Sequence, residues 1–436
     1  MNKSAKQILA ALLALSMPLT LAGCGSDSGE YHATNLTDIT TPAQPPAAAE
    51  ESKPSASHTA AENTSLPKAD AVTYTDFALR LFRECSEPGK STLISPLSVL
   101  NALAMTACGA EQETLTQMEN VFGSDLTSLC EYLSAYNDAL PSGDKYKLHV
   151  ANSVWIKDDE DFKVEPDFLQ ADTDYFHADI FQCPFDSTTL KDINSWVAKN
   201  TDKMIPKILD QIPDDAVMYL VNALAFDAEW QSIYRSDQVH DRTFTSFDGT
   251  EQDAELMYSE EHKYLHGSQA QGFLKYYADG KYAFAALLPD EGVSLDDYLA
   301  SLTGEQLHQL LVNAEDIKVE TAIPKFKQEY SVNLQDILQE LGMTDAFDPE
   351  TADFNGICSA PDKQLYINRV LHKTFIEVDE KGTKAGAATA VAVEMCEFAM
   401  ISEAKSVYLD RPFVYMLIDC EELLPVFIGT VTEITP

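Results

Sequence analysis

Glu377-Val378-Asp379-Glu380-Lys381-Gly382-Thr383-Lys384-Ala385-Gly386-Ala387-Ala388-Thr389-Ala390 is the stretch on which the reading of this chain turns. A run so rich in Ala, Gly and Thr has almost no side chain with which to anchor itself in a core. It also lacks the periodicity of an amphipathic helix. A flexible linker has this composition, yet the run is followed by two more apolar strand-length runs, not by a domain boundary. Read as a strand, Thr383, Ala385, Ala387, Thr389, Val391 and Val393 face one way, and Lys384, Gly386, Ala388, Ala390, Ala392 and Glu394 the other. Small residues cost little to leave in water and fit without clash between two strands already paired. Bulky ones fail one test or the other. The composition suits a segment that lives in two environments, exposed loop and central strand.

Outward from this run, apolar stretches of strand length lie at Val150 to Ile156, Tyr282 to Leu288, Phe413 to Ile418 and Pro425 to Val431. Helical spacing appears at Tyr74, Phe77, Ala78, Leu81 and Phe82, and again at Leu100, Leu103, Ala104 and Ala107 after Ser95-Pro96, a natural helix start. The alanines of the second helix suggest burial on most sides. Leu334, Ile337, Leu338 and Leu341 mark another helix, stopped by Gly342. Strands and helices mix without regular alternation, which indicates an α+β fold over a single domain, residues 71–436.

The chain has 436 residues, 45% hydrophobic, with a formal charge of −40. So acidic a surface is well solvated and excludes a nucleic-acid partner, because phosphate binding needs a basic one. Residues 1–23 read as an export signal: Lys3 and Lys6 precede an apolar region, Ile8 to Leu21, too short to span a membrane. The following Leu21-Ala22-Gly23-Cys24 resembles a bacterial lipobox, in which the peptidase cuts before the cysteine and the thiol carries a diacylglyceryl group. The resemblance implies lipidation at Cys24 and an extracytoplasmic, membrane-anchored protein at the cell surface. Residues 24–70, rich in Ser, Thr, Ala, Pro and Glu, read as a disordered tether. The seven cysteines beyond Cys24 are widely spaced and lack CxxC, a poor disulfide framework and a poor zinc site; most are expected as buried small hydrophobes.

His372 to Ala390 resembles the hinge of the serpin reactive-centre loop, whose pattern is close to Glu-x-Gly-Thr-Glu-Ala followed by small residues. Other family-like blocks follow in family order. They include Ser95-Pro96-Leu97-Ser98, Asn194-Ser195-Trp196-Val197, Leu220-Val221-Asn222-Ala223 ending in Trp230, Ile323-Pro324-Lys325-Phe326, Arg411-Pro412-Phe413 and Phe427-Ile428-Gly429. The resemblance implies a serpin fold of three β-sheets and eight or nine helices, with an exposed loop at about residues 380–410. It assigns Ser95, Ser98, Asn222 and His372 to a polar shutter beneath the strands that part. It assigns Glu380, Gly382, Thr383, Ala385, Ala387, Ala388 and Thr389 to the hinge, and Lys325 and Trp230 to the breach, where insertion begins. Lys384 departs from the usual hinge glutamate; its long side chain can snorkel to solvent.

Family spacing counted from Glu380 puts the scissile bond after Cys396, before Glu397; counting back from Pro412 gives Met400 or Ile401. The hinge count is preferred, because a protease dragged the length of the sheet on a surviving acyl bond tolerates little slack. No Arg or Lys occurs between Lys384 and Lys405, which favours elastase-like or subtilisin-like proteases over trypsin-like ones. The expected function is a suicide-substrate inhibitor of an extracellular serine protease, acting as a monomer and without cofactor or metal. A non-inhibitory surface binding protein and a cysteine-protease inhibitor on the same scaffold are the alternatives. GxSxG, HExxH, Walker and GxGxxG contexts are absent from the sequence, so an enzyme is not expected.

Overall fold

The first helix, α1 (Lys68–Cys85), buries Phe77, Ala78, Leu81 and Phe82, the face its spacing marks out. Its start at Lys68 sets the folded part a few residues earlier than the composition change suggests. Ser95-Pro96 then acts as a helix start. Ser95 is an extended N-cap whose hydroxyl accepts from Ser98 N–H at 3.3 Å. Pro96 sits where a backbone donor would go unused. The helix that follows, α2 (Pro96–Ala107), is buried along its whole length between two sheets. The computed structural model describes residues 31–37, 68–140, 142–143, 146–159, 163–176, 178–213, 216–278, 280–359, 365–383 and 405–434.

The central sheet contains, in chain order, β1 (Thr34–Asn35), β2 (Tyr146–Lys157), β3 (Asp179–Cys183), β4 (Met218–Glu229), β5 (Phe326–Asn333), β6 (Arg369–Val378) and β7 (Gly382–Thr383). In space they run β1-β3-β2-β4-β7-β6-β5, with the short strand Ser142–Gly143 beside β2. The second sheet has nine strands, among them Tyr282–Pro289, Phe413–Asp419 and Leu424–Val431 at the apolar runs of the sequence. A pair formed by Lys163–Val164 and Cys358–Ser359 makes the third. Nine α-helices accompany these three sheets among the described residues. Gly342, in the left-handed region at φ 113°, ends the helix Gln335–Glu340 as its glycine suggests.

The described part of the N-terminal segment corrects the expectation that all of residues 24–70 form an unpacked tether. Strand β1 lies antiparallel on β3. Tyr31 meets Phe181 edge-on at 5.8 Å, and Leu36 N–H donates to Ile180 O at 2.7 Å. Asp192 accepts from His32 N–H at 2.6 Å and Ala33 N–H at 2.8 Å. The segment is too short to show a period. Its side chains dock one at a time, a signal that composition averaged over the whole stretch hides, and its backbone covers an otherwise unpaired sheet edge.

The six described cysteines carry no disulfide, and Cys85, Cys130, Cys183 and Cys358 are buried. Burial pushes the Cys85 and Cys183 thiols up to about 12, which leaves them unreactive. Cys108 and Cys130 bring their sulfurs within 3.7 Å.

Candidate functional site

Strands β4 and β6 are parallel neighbours from Tyr219 and Arg369 up to Ala225 and Phe375. In that ladder His372 is the register partner of Asn222, and Asn152 on β2 is the partner of Asn222 on the other side. All three side chains point at the N-terminus of α2. Ser95 N–H donates to His372 Nε2 at 3.0 Å, so Nε2 is the unprotonated nitrogen and Nδ1–H donates to Asn222 Oδ1 at 2.6 Å. The Asn222 amide nitrogen is shared between Asn152 Oδ1 at 2.6 Å and the Ser98 carbonyl and hydroxyl oxygens. Ser95 Oγ–H donates to Val426 O at 2.8 Å, tying the cluster to the second sheet. Burial holds His372 down at about 3, so the ring is neutral and its tautomer is fixed by these partners. The structure therefore brings Ser95, Ser98, Asn222 and His372 into one network. Asn152 is a fifth member that sequence reading missed, although a polar Asn152-Ser153 inside an apolar strand was a visible signal.

Above Phe375 the two strands diverge, and β7 lies between them, antiparallel to both: Thr383 is opposite Ala228 and Val378, and Gly382 opposite Glu229. Glycine is required there, because a Cβ on Gly382 would sit 2.0 Å from Ala228 O. The Thr383 side chain turns inward and meets the Tyr277 hydroxyl at 2.6 Å.

The turn before β7 is held by donors from the top of β4. Trp230 N–H donates to Lys381 O at 2.8 Å, Trp230 Nε1–H to Asp379 O at 2.9 Å, and Tyr234 N–H to Glu380 O at 2.9 Å. Trp230 stacks on Tyr277 at 4.5 Å. Lys275, with Nζ 2.7 Å from Glu261, lies buried beneath the Trp230 and Tyr234 rings. Lys325 pairs with Glu380 and, at 3.1 Å, with Glu255. Partial burial works the other way, yet the Lys325 ammonium holds Glu380 below the usual carboxylate range. Sequence reading found Trp230, Lys325 and Glu380 but not Tyr277, Tyr234, Glu255 or Lys275, which sit on other elements and carry no local motif.

Ala385, Ala387, Ala388, Thr389, Cys396, Glu397, Met400 and Ile401 lie outside the described residues, as does Cys24. What is described is a gap in the sheet at its top, a short strand already in it, and a closed polar ladder below.

Comparison with known proteins agrees with this architecture. Residues 72–434 match the family model described as Serpin (serine protease inhibitor). The crystal structure of tengpin, a thermophilic serpin, in the native state superposes with a TM-score of 0.82 and 42% identity, covering 92% of this chain and 100% of that one. Tengpin in the latent state gives a TM-score of 0.75, covering 86% of this chain and all of that one. The leukocyte elastase inhibitor of Homo sapiens is 29% identical over 363 residues, 79% of this chain and 93% of that protein. With the family model spanning the folded part and the three sheets in place, the chain belongs to the serpin family.

Proposed function

We propose that this serpin is a single-use inhibitor of extracellular serine proteases of elastase-like or subtilisin-like specificity. The observation that carries the reading is β7: the first two residues of a small-residue run already pair with both β4 and β6. The remainder of the run is of a composition that can follow them. The target serine attacks the carbonyl of Cys396, Glu397 leaves as a new amino terminus, and the acyl-enzyme forms. The freed run then enters between β4 and β6 and carries the protease away before water hydrolyses the ester. The small apolar Cys396 on the acyl side of the bond, and the leukocyte elastase inhibitor among the relatives, support an apolar-pocket protease. Cys24 lipidation would hold the inhibitor, as a monomer, on the outer face of a bacterial membrane.

The test is incubation with elastase-, subtilisin- and trypsin-like proteases. The expected result is a complex stable to denaturant with the first two classes, and mass spectrometry of the released C-terminal peptide beginning at Glu397. If every protease cleaves the loop and turns over, the surface-binding alternative becomes the better reading.

A further inference from the structure

Strands β4 and β6 are closed at their lower end by one residue. The Asn368 carboxamide oxygen accepts from Val217 N–H at 2.6 Å and from Met218 N–H at 3.2 Å. The Asn368 backbone N–H donates to Met218 O at 3.2 Å. Asn368 immediately precedes β6, and Val217 immediately precedes β4, so these three bonds bridge the two strands below the last rung of their ladder.

Register decides whether an inserting strand reaches them. Thr383 is opposite Ala228 on one side and Val378 on the other. An antiparallel strand continued from Thr383 places Ala392 opposite Tyr219 and Arg369, the lowest pair of the present ladder. The next residue, Val393, falls opposite Met218 and Asn368. A fully inserted strand therefore has to break the Asn368 bridge just before the expected cut after Cys396. The amides of Val217 and Met218 then exchange a side-chain acceptor for backbone ones. A cavity of about 290 Å³, lined in part by Pro213, Tyr219, Gln335 and Tyr366, lies beside Asn368 and gives the arriving strand end room.

We propose that Asn368 is a latch at the foot of the central sheet, a positioning residue that resists the last step of insertion and sets how quickly it completes. This rests on the loop-insertion reading above. The latch acts only until insertion completes, while its bonds exist, whereas a residue that merely caps a turn would act in both the intact and the fully inserted form.

The experiment compares melting of the full chain before and after cleavage within residues 384–404 for wild type, Asn368→Ala and Asn368→Asp. The alanine variant should lower the intact midpoint by about 2–5 °C and leave the cleaved midpoint within about 1 °C of wild type. It should also reach the heat-resistant form roughly 3–10 times faster after the cut. Asn368→Asp keeps the acceptor and should recover most of the intact midpoint. If Asn368→Ala does not accumulate, Asn368→Ser, too short to span both amides, gives the same comparison. Equal losses in both forms, or no loss in either, overturn the latch. If cleavage fails to raise the wild-type midpoint, the insertion reading itself falls and the latch with it. Failure of the latch alone leaves that rise intact.

Discussion

His372 shows at the scale of one residue how position is obtained at the expense of ionisation. In the unfolded chain the ring takes a proton near its ordinary value of 6.5; in the folded chain it does so only at about 3. The unfolded state therefore binds more protons across that window, and stability is lost as pH falls from about 6.5 towards 3. For a fully buried ring the whole effect is on the order of 5 kcal/mol. Asp172 works in the opposite sense. Burial raises its pKa well above the ordinary value, and neither oxygen finds a partner among the described residues, so its contribution is lost as pH rises from about 4. A bare pH profile mixes the two, but a variant separates them. His372→Gln should melt lower than wild type at pH 7 and should flatten the pH dependence below 6.5 by one proton. Melts at half-unit intervals from pH 7.5 to 4 measure this, and an unchanged slope would show that the histidine titrates in the fold. Four members of the network were legible, because Ser95, Ser98, Asn222 and His372 each sit in a block of sequence with its own signature. Asn368 was not, since an asparagine before a strand looks like any turn residue until its acceptor is seen on the neighbouring strand.

At the scale of the element, the face of the incoming strand follows from Thr383, whose hydroxyl lies inward against Tyr277. With a period of two, Ala387 would arrive between Leu224 and Thr374, and Thr389 between Asn222 and His372, the pair it would have to separate. Ala387→Arg would bury a charge beside Leu224, and Thr389→Pro would remove a ladder donor. Both are expected to turn the inhibitor into a substrate, read as cleaved product in place of covalent complex on denaturing gels; unchanged complex in both would mean that no strand enters.

The same register explains the departure at Lys384. One residue past Thr383 on the outward face, it would fall between Asp227 on β4 and Glu377 on β6, both part-exposed. Opposite charges directly across strands contribute roughly 0.2–1 kcal/mol, and like charges oppose pairing by similar amounts. Lys384→Glu should therefore lower the fraction of protease trapped, and adding Asp227→Lys should recover much of it. A double-variant cycle on the number of inhibitor molecules consumed per trapped protease checks the coupling, and additive losses would remove it. The lysine could be read in the sequence as tolerable on an outward face, but its two acidic neighbours could not, because nothing local links residue 384 to 227.

At the scale of the molecule, order of blocks along the chain sufficed for the fold, whereas the pairing of distant strands and the docked segment 31–37 appear only in three dimensions. What the assembled sheet implies is a store of unused pairing. Strand β4 carries Leu220, Leu224 and Phe226 inward, and β6 carries Val370 and Ile376; the two are joined only below Ala225 and separated above by the two residues of β7. A strand running from Thr383 to Val393 would replace one interstrand seam by two. It would add backbone hydrogen bonds to both neighbours and bury Val391 and Val393 on the inward face beside Leu220 and Met218. Before cleavage the chain beyond Thr383 is tied at both ends, because Lys405–Tyr408 is already a strand of the second sheet, parallel to Glu315–Pro324. Cutting between Ala390 and Ile401 releases one of those ties. On the loop-insertion reading, the energy withheld by the constraint would then become available, as serpin loop insertion releases stored strain in general. The melting midpoint should therefore rise on cleavage, whereas a nick in an ordinary surface loop leaves it level or lowers it. A thermal melt before and after limited proteolysis, with the cut located by mass spectrometry, decides between them without knowledge of the natural target. A cleaved form melting at or below the intact one would mean that the gap between β4 and β6 is never filled.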